Sequence, residues 1–102
     1  MRRAYHKFKA KPTISGGFRF DSKKEAKYYD QLIFEQKAGY VLFFLRQVPF
    51  HLPGGVVYRV DFQVFTCDGK VKFIDVKGYR TPEYITKKKM VEALYPIEIE
   101  EV

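Results

Sequence analysis

The stretch "YRVDFQVFTCDGKVKFIDVKG", residues 58–78, decides the fold. Two alternating runs flank Asp68-Gly69, a dipeptide that marks a β-hairpin. Successive strand side chains point to opposite faces, so Tyr58, Val60, Phe62 and Val64 share one face. Arg59, Asp61, Gln63 and Phe65 share the other. On the next strand Val71, Phe73, Asp75 and Lys77 fall together. A face that opens apolar and ends in a carboxylate and an ammonium is unlike ordinary solvated surface.

The loop length sets what meets what, because one residue of register flips every side chain to the other face. A two-residue loop, Asp68-Gly69, pairs Asp61 with Val76. A three-residue loop, Cys67-Asp68-Gly69 with Gly69 left-handed in a bulge, pairs Asp61 with Asp75. We take the three-residue loop, because it gathers Phe65, Val71 and Phe73 into one apolar patch. It also sets Arg59 opposite Lys77, so that two carboxylates and a lysine converge at one end of the hairpin.

Around this hairpin the chain reads as one domain. Ser22 opens a helix with the capping box "SKKE", Glu25 reaching back to the cap, and the helix stops at Gly39. "YVLFFLRQVPFHL" (40–52) reads as a buried strand, with Pro49 near an edge or bend. After the hairpin, Thr81-Pro82 places an N-cap before a proline at the first helical position. That second helix runs to about Leu94, Pro96 ends it, and "IEIEEV" closes the chain as a short strand. The order α-β-β-β-α-β predicts an α+β domain with helices packed on a mixed sheet.

Residues 1–17 hold Arg2, Arg3, Lys7, Lys9 and Lys11 and no acid. They read as a basic arm with little structure of its own, ending in the flexible pair Gly16-Gly17 and leaving 18–102 as the domain. The arm is either a solvated tail or a contact to DNA.

Composition narrows the function. Of 102 residues, 46% are hydrophobic, which suits a globular domain. Nineteen Lys and Arg against twelve Asp and Glu leave +7, an excess that points to a polyanion, with nucleic acid the usual one. Cys67 is alone, so there is no disulfide framework, and no Cys/His spacing suits zinc. Neither a signal peptide nor an apolar span is expected, which predicts an intracellular, cytoplasmic protein with no membrane partner.

Asp61 and Asp75, held a few ångströms apart, repel and raise each other's pKa. A divalent cation between them relieves this, and oxygen ligands suit Mg²⁺ or Mn²⁺. Lys77 beside such an ion would orient or deprotonate water, or offset charge on a phosphate. The plain alternative is a Lys77–Asp61 salt bridge on a solvated sheet. Glu25 shares a helix stripe with Tyr28, Tyr29, Leu32 and Gln36, the expected inward face, and so points an acid at the sheet. Lys87 lines up with Tyr84, Val91 and Leu94; it either reaches a phosphate or snorkels. Lys88 and Lys89 lie off that stripe as backbone contacts or solvated surface, and Gln47 is a further candidate for the site.

"FDSKKEAKYYDQL" (20–32), "YRVDF" (58–62) and "IDVKG" (74–78) resemble the PD-(D/E)xK nuclease superfamily in order and spacing. "TPEYITKKKMVEALYP" (81–96) looks like a small phage and prophage family within it, long catalogued as a domain of unknown function. The resemblance covers roughly residues 18–99 and implies a restriction-endonuclease-like core. It also implies a Mg²⁺- or Mn²⁺-dependent deoxyribonuclease, most simply an endonuclease, acting inside the host cell if phage-encoded. By it Glu25, Asp61, Asp75 and Lys77 are catalytic, with Lys87 added from the helix stripe, and Asp61, Asp75 and the Val76 carbonyl hold the metal. Val60 stands where the superfamily name has proline. The rival reading is a basic DNA-binding module that keeps the fold without cutting. A domain this small covers little DNA, which makes a homodimer the expected way to reach two strands.

Overall fold

The computed structural model describes residues 13–102. Arg2, Arg3, Lys7, Lys9 and Lys11 lie outside them. The expected arm is shorter than 17 residues, because β1 (Thr13–Ser15) pairs antiparallel with β2 (Phe18–Phe20). Gly16 and Gly17 form the turn between them, with φ of +56° and +85°. A two-residue turn of type I′ needs left-handed backbone at both positions, which glycine adopts without a Cβ penalty, so this pair is a tight connection.

Helix α1 (Lys23–Lys37) starts where the cap predicts, with Ser22 Oγ accepting from the Glu25 N–H at 3.1 Å. Only that half of the capping box forms, for the Glu25 side chain turns toward the sheet instead. Ala26, Tyr29 and Leu32 are buried beside Glu25, whereas Gln36, expected inward, is exposed. Its amide donates to the Leu42 carbonyl.

Strands β3 (Val41–Leu52), β4 (Val56–Thr66) and β5 (Val71–Asp75) form an antiparallel meander, and β6 (Ile99–Glu101) joins β5 in parallel. The order is β3-β4-β5-β6, so β3 is an edge strand and its Pro49 sits where a missing N–H is tolerated. The buried strand expected over 40–52 is therefore wrong: of β3, only Val41 and Leu52 are buried. The run is apolar because of what lies along an edge, not because both faces are covered.

The β4–β5 connection takes the three-residue loop, with Gly69 left-handed at φ +86°. Phe65 pairs with Val71 and Phe62 with Ile74, and the same register continued one step sets Asp61 beside Asp75. Helix α2 (Pro82–Leu94) is capped by Thr81, whose Oγ1 accepts from the Tyr84 N–H at 3.0 Å. It carries the chain from β5 to β6.

Adjacent β5 residues show where the helices lie. Ile74 packs into a core with Phe20, Tyr29, Leu32, Phe62 and Val64 under α1. Phe73 packs against a second core, Tyr58, Val60, Tyr84, Val91 and Ile99, under α2. Neighbouring strand residues face opposite ways, so the helices cover opposite faces of a mixed sheet in an α+β fold. Among the described residues no helix is long and apolar enough to cross a membrane.

Candidate functional site

Strand β5 leaves β4 before it ends. Its last pairing with β4 is at Ile74, after which it follows β6: the Val102 N–H donates to the Asp75 carbonyl at 2.9 Å and the Lys77 N–H to the Val102 carbonyl at 3.1 Å. The expected pairing of Arg59 with Lys77 is thus not made. At this fork main-chain donors lose their ladder partners, and buried donors must find others.

The two aspartates fill that gap reciprocally. The Asp61 N–H donates to Asp75 Oδ1 at 3.0 Å, and the Val76 N–H donates to Asp61 Oδ2 at 2.9 Å. Asp75 is fully buried, and its Oδ2 accepts from the Tyr58 hydroxyl. Burial and this bond to a carboxylate push the Tyr58 phenol far above its ordinary range. Burial, followed by the charge of Asp75, does the same to the Tyr84 phenol.

Helix α1 brings the third acid. Gln47, opposite Asp61 on β3, donates from Nε2 to Glu25 Oε2 and to Asp61 Oδ1, both at 3.3 Å. It is the one described non-glycine residue with positive φ, +53°, a conformation that costs a β-carbon about 1–2 kcal/mol. Strain of this kind persists where surrounding contacts over-determine it. Burial, and then the charges of Asp61 and Asp21, raise the Glu25 carboxyl to about 7. Asp61 is raised too, by burial first, with the Val76 N–H opposing it. Neither acid has a Lys or Arg within ion-pair distance among the described residues.

The lysines stand apart from the carboxylates. Lys77 Nζ lies over the Tyr84 ring, 4.5 Å from its centroid, and makes neither the expected convergence with the acids nor a salt bridge to Asp61. It is still near enough to favour ionised Glu25 and Asp61. Its carbonyl accepts from Lys24 Nζ at 2.9 Å. Lys77 and Lys87 share a pocket of about 200 Å³ with Tyr58, Thr81, Glu83 and Tyr84, although Lys87 is paired to Glu83 at 3.1 Å. Leu94, expected on the apolar stripe with Lys87, is exposed. Lys88 is taken up by Glu101, whose other oxygen holds Arg80, while Lys89 is exposed.

Among the described residues no three His, Cys, Asp or Glu side chains form a ready metal cage. What the fork offers is narrower: two adjacent carboxylates and, beside them, the backbone of Val76. Each carboxylate oxygen keeps a lone pair beyond the hydrogen bond it accepts. Hard oxygen donors of this number suit a small divalent cation that retains several waters.

A family model described as "Protein of unknown function (DUF1064)" matches residues 5–100. The chain belongs to the DUF1064 family. No curated protein and no solved structure matches it. In this DUF1064 chain, Tyr58 and Tyr84 are the site residues that the sequence reading passed over. Alternation grouped Tyr58 and Val60 with Phe62 and Val64, but the structure divides them between the two cores: Tyr58 and Val60 pack on the α2 side with Phe73, on whose face Asp75 falls.

Proposed function

We propose that this chain is a Mg²⁺- or Mn²⁺-dependent nuclease that hydrolyses phosphodiester bonds in DNA, on a restriction-endonuclease-like variant of its α+β fold. The observation that carries the reading is the fork: Asp61 and Asp75 lie side by side, with Glu25 joined to them through Gln47. An enclosed group of acids without an ion-paired cation calls for protons or a metal ion. The raised Glu25 pKa is the first of these answers.

Asp61, Asp75 and the Val76 carbonyl would hold the ion. When bound, it would polarise a phosphoryl oxygen and acidify a water. Glu25, protonated below about pH 7 and ionised above it, would act as the acceptor for a proton of that water. Gln47 fixes the distance between Glu25 and Asp61. Lys77 and Lys87, flanking the pocket where α2 starts, supply positive charge for phosphate oxygens.

One observation favours the second reading, a DNA-binding module that does not cut. Both aspartates already close the end of the β4–β5 ladder, and Lys77 rests on Tyr84. Incubating end-labelled duplex, single-stranded, flapped and branched DNA with Mg²⁺, Mn²⁺ or EDTA decides between them. Cleavage with either metal and none in EDTA is the expected result. Undiminished cutting in EDTA overturns the metal mechanism, and retention of DNA with no cutting on any substrate establishes the binding module.

A further inference from the structure

We infer that the outer edge of β3 is a self-association surface, on which the β3 of a second copy adds antiparallel to make one continuous eight-stranded sheet. The inference does not depend on the nuclease reading. Strand β3 is the longest in the fold, with 12 residues, and among the described residues no strand pairs with its outer edge. Natural edge strands of this length are usually shortened, charged or covered.

This one is apolar. Leu42, Phe43 and Leu45 are 58%, 45% and 46% exposed, and Phe18 beside them is 44% exposed. A groove of about 340 Å³ runs along the edge, lined by Phe18, Tyr29, Phe43, Phe44, Leu45 and Arg46, with Gln36 closing it. At about 200 Å² for a fully exposed side chain of this size, the four exposed residues present roughly 400 Å² of apolar area. That is about half of the ~800 Å² per partner that a stable interface buries. The main-chain edge of so long a strand supplies much of the remainder.

Charge selects the occupant. A protein of net +7 repels its own copies over most of its surface, so self-association needs a face poor in cations. Between residues 41 and 52 the only Lys, Arg, Asp or Glu is Arg46. Its guanidinium is held over the Phe18 and Phe20 rings, at 4.5 and 4.6 Å from their centroids. Nucleic acid would want the reverse, a cation-rich strip. The strand also complements itself: a two-fold axis at Phe44 sets Phe43 of one copy opposite Leu45 of the other, twice. Among the described residues only the Gln36 amide, on the Leu42 carbonyl, covers this stretch of edge.

The test is sedimentation of the full chain at rising concentration, with amide hydrogen exchange read at residues 42–46. Dimer is expected, with the alternate amides that β4 leaves unpaired becoming protected as concentration rises. Leu42→Lys and Leu45→Lys, both at exposed positions, should keep the thermal melt of the monomer. Each should raise the dissociation constant at least roughly tenfold and remove that protection. A monomer with fast exchange at all concentrations overturns the proposal, as does a dimer that both variants leave unchanged. So does a monomer already protected at 42–46, which would assign the edge to residues 1–12 of the same chain. Protection that appears only with added DNA would assign it to nucleic acid.

Discussion

Glu25 keeps its proton to about pH 7 in the folded chain, against 4.5 for an ordinary glutamate. Between those values the unfolded chain binds fewer protons than the folded one, so stability falls as pH rises through the window and levels off above it. Melting temperature in EDTA should therefore drop from the bottom of that window to the top. Glu25→Gln should shrink the drop, leaving the part due to Asp61, whose carboxyl is raised in the same direction. A parent protein equally stable at both ends shows that Glu25 titrates normally. Asp75 poses a different balance, since both its oxygens serve buried donors. Tyr58→Phe leaves Oδ2 without a donor where water does not reach, at a cost of about 1–3 kcal/mol. Asp75→Ala strands the Asp61 N–H and the Tyr58 hydroxyl together and should cost more, about 3 kcal/mol. Asp75→Asn can keep the Asp61 N–H on its oxygen and turn its amide to the phenol, losing about 1 kcal/mol. Under the proposed function it abolishes cleavage all the same. Urea unfolding ranks the three variants, and equal losses for Asn and Ala would mean that charge, not hydrogen-bond geometry, holds the fork.

Among the elements, the β4–β5 hairpin governs the site, because Thr66 opposite Lys70 sets its register. Deleting Cys67 leaves Asp68-Gly69 as a two-residue loop that still sets Thr66 opposite Lys70, so Asp61 stays opposite Asp75. The deletion should therefore keep the Asp61–Asp75 contact and, under the proposed function, cleavage. Its effect on stability should stay within about 1 kcal/mol, since no buried donor loses its acceptor. Thermal melting and the labelled-DNA assay check this, and a deletion that loses both stability and cutting would mean that the loop itself, not the register, holds the fork. The hairpin was legible beforehand because its signal is local: Asp-Gly, flanking alternation, and the grouping of Phe65 with Val71. Both helix starts were legible for the same reason, through Ser22 and Thr81. Strand β1 was not, since "TIS" is too short to show a period and Gly16-Gly17 reads equally as a hinge or a turn. Nor was the exposure of β3, because an apolar run looks the same at an edge as in a core. Within the site, the neighbourhood of Asp61 and Asp75 followed from counting. The roles of Tyr58 and Gln47 did not, because they arise from a strand that passes from one core to the other and a residue that turns left-handed.

For the molecule as a whole, the +7 charge makes salt the sharpest probe of partner choice. If DNA phosphates are contacted, the logarithm of affinity should fall linearly with that of salt, by about 0.9 for each phosphate neutralised. Removing residues 1–11 takes away Arg2, Arg3, Lys7, Lys9 and Lys11 and should flatten that line by several such steps if they touch DNA. An identical slope, read by anisotropy in EDTA, would leave residues 1–11 as a tail without contact to DNA. The hairpin has one more consequence at this scale. Cys67, the chain's single thiol, is exposed at the tip of β4–β5, six residues along the strand from Asp61, or about 20 Å. A biotin or a bead coupled there would anchor the molecule by the end remote from the fork and leave the acids facing outward. The chain thus comes with its own handle for watching one copy at a time on a stretched filament.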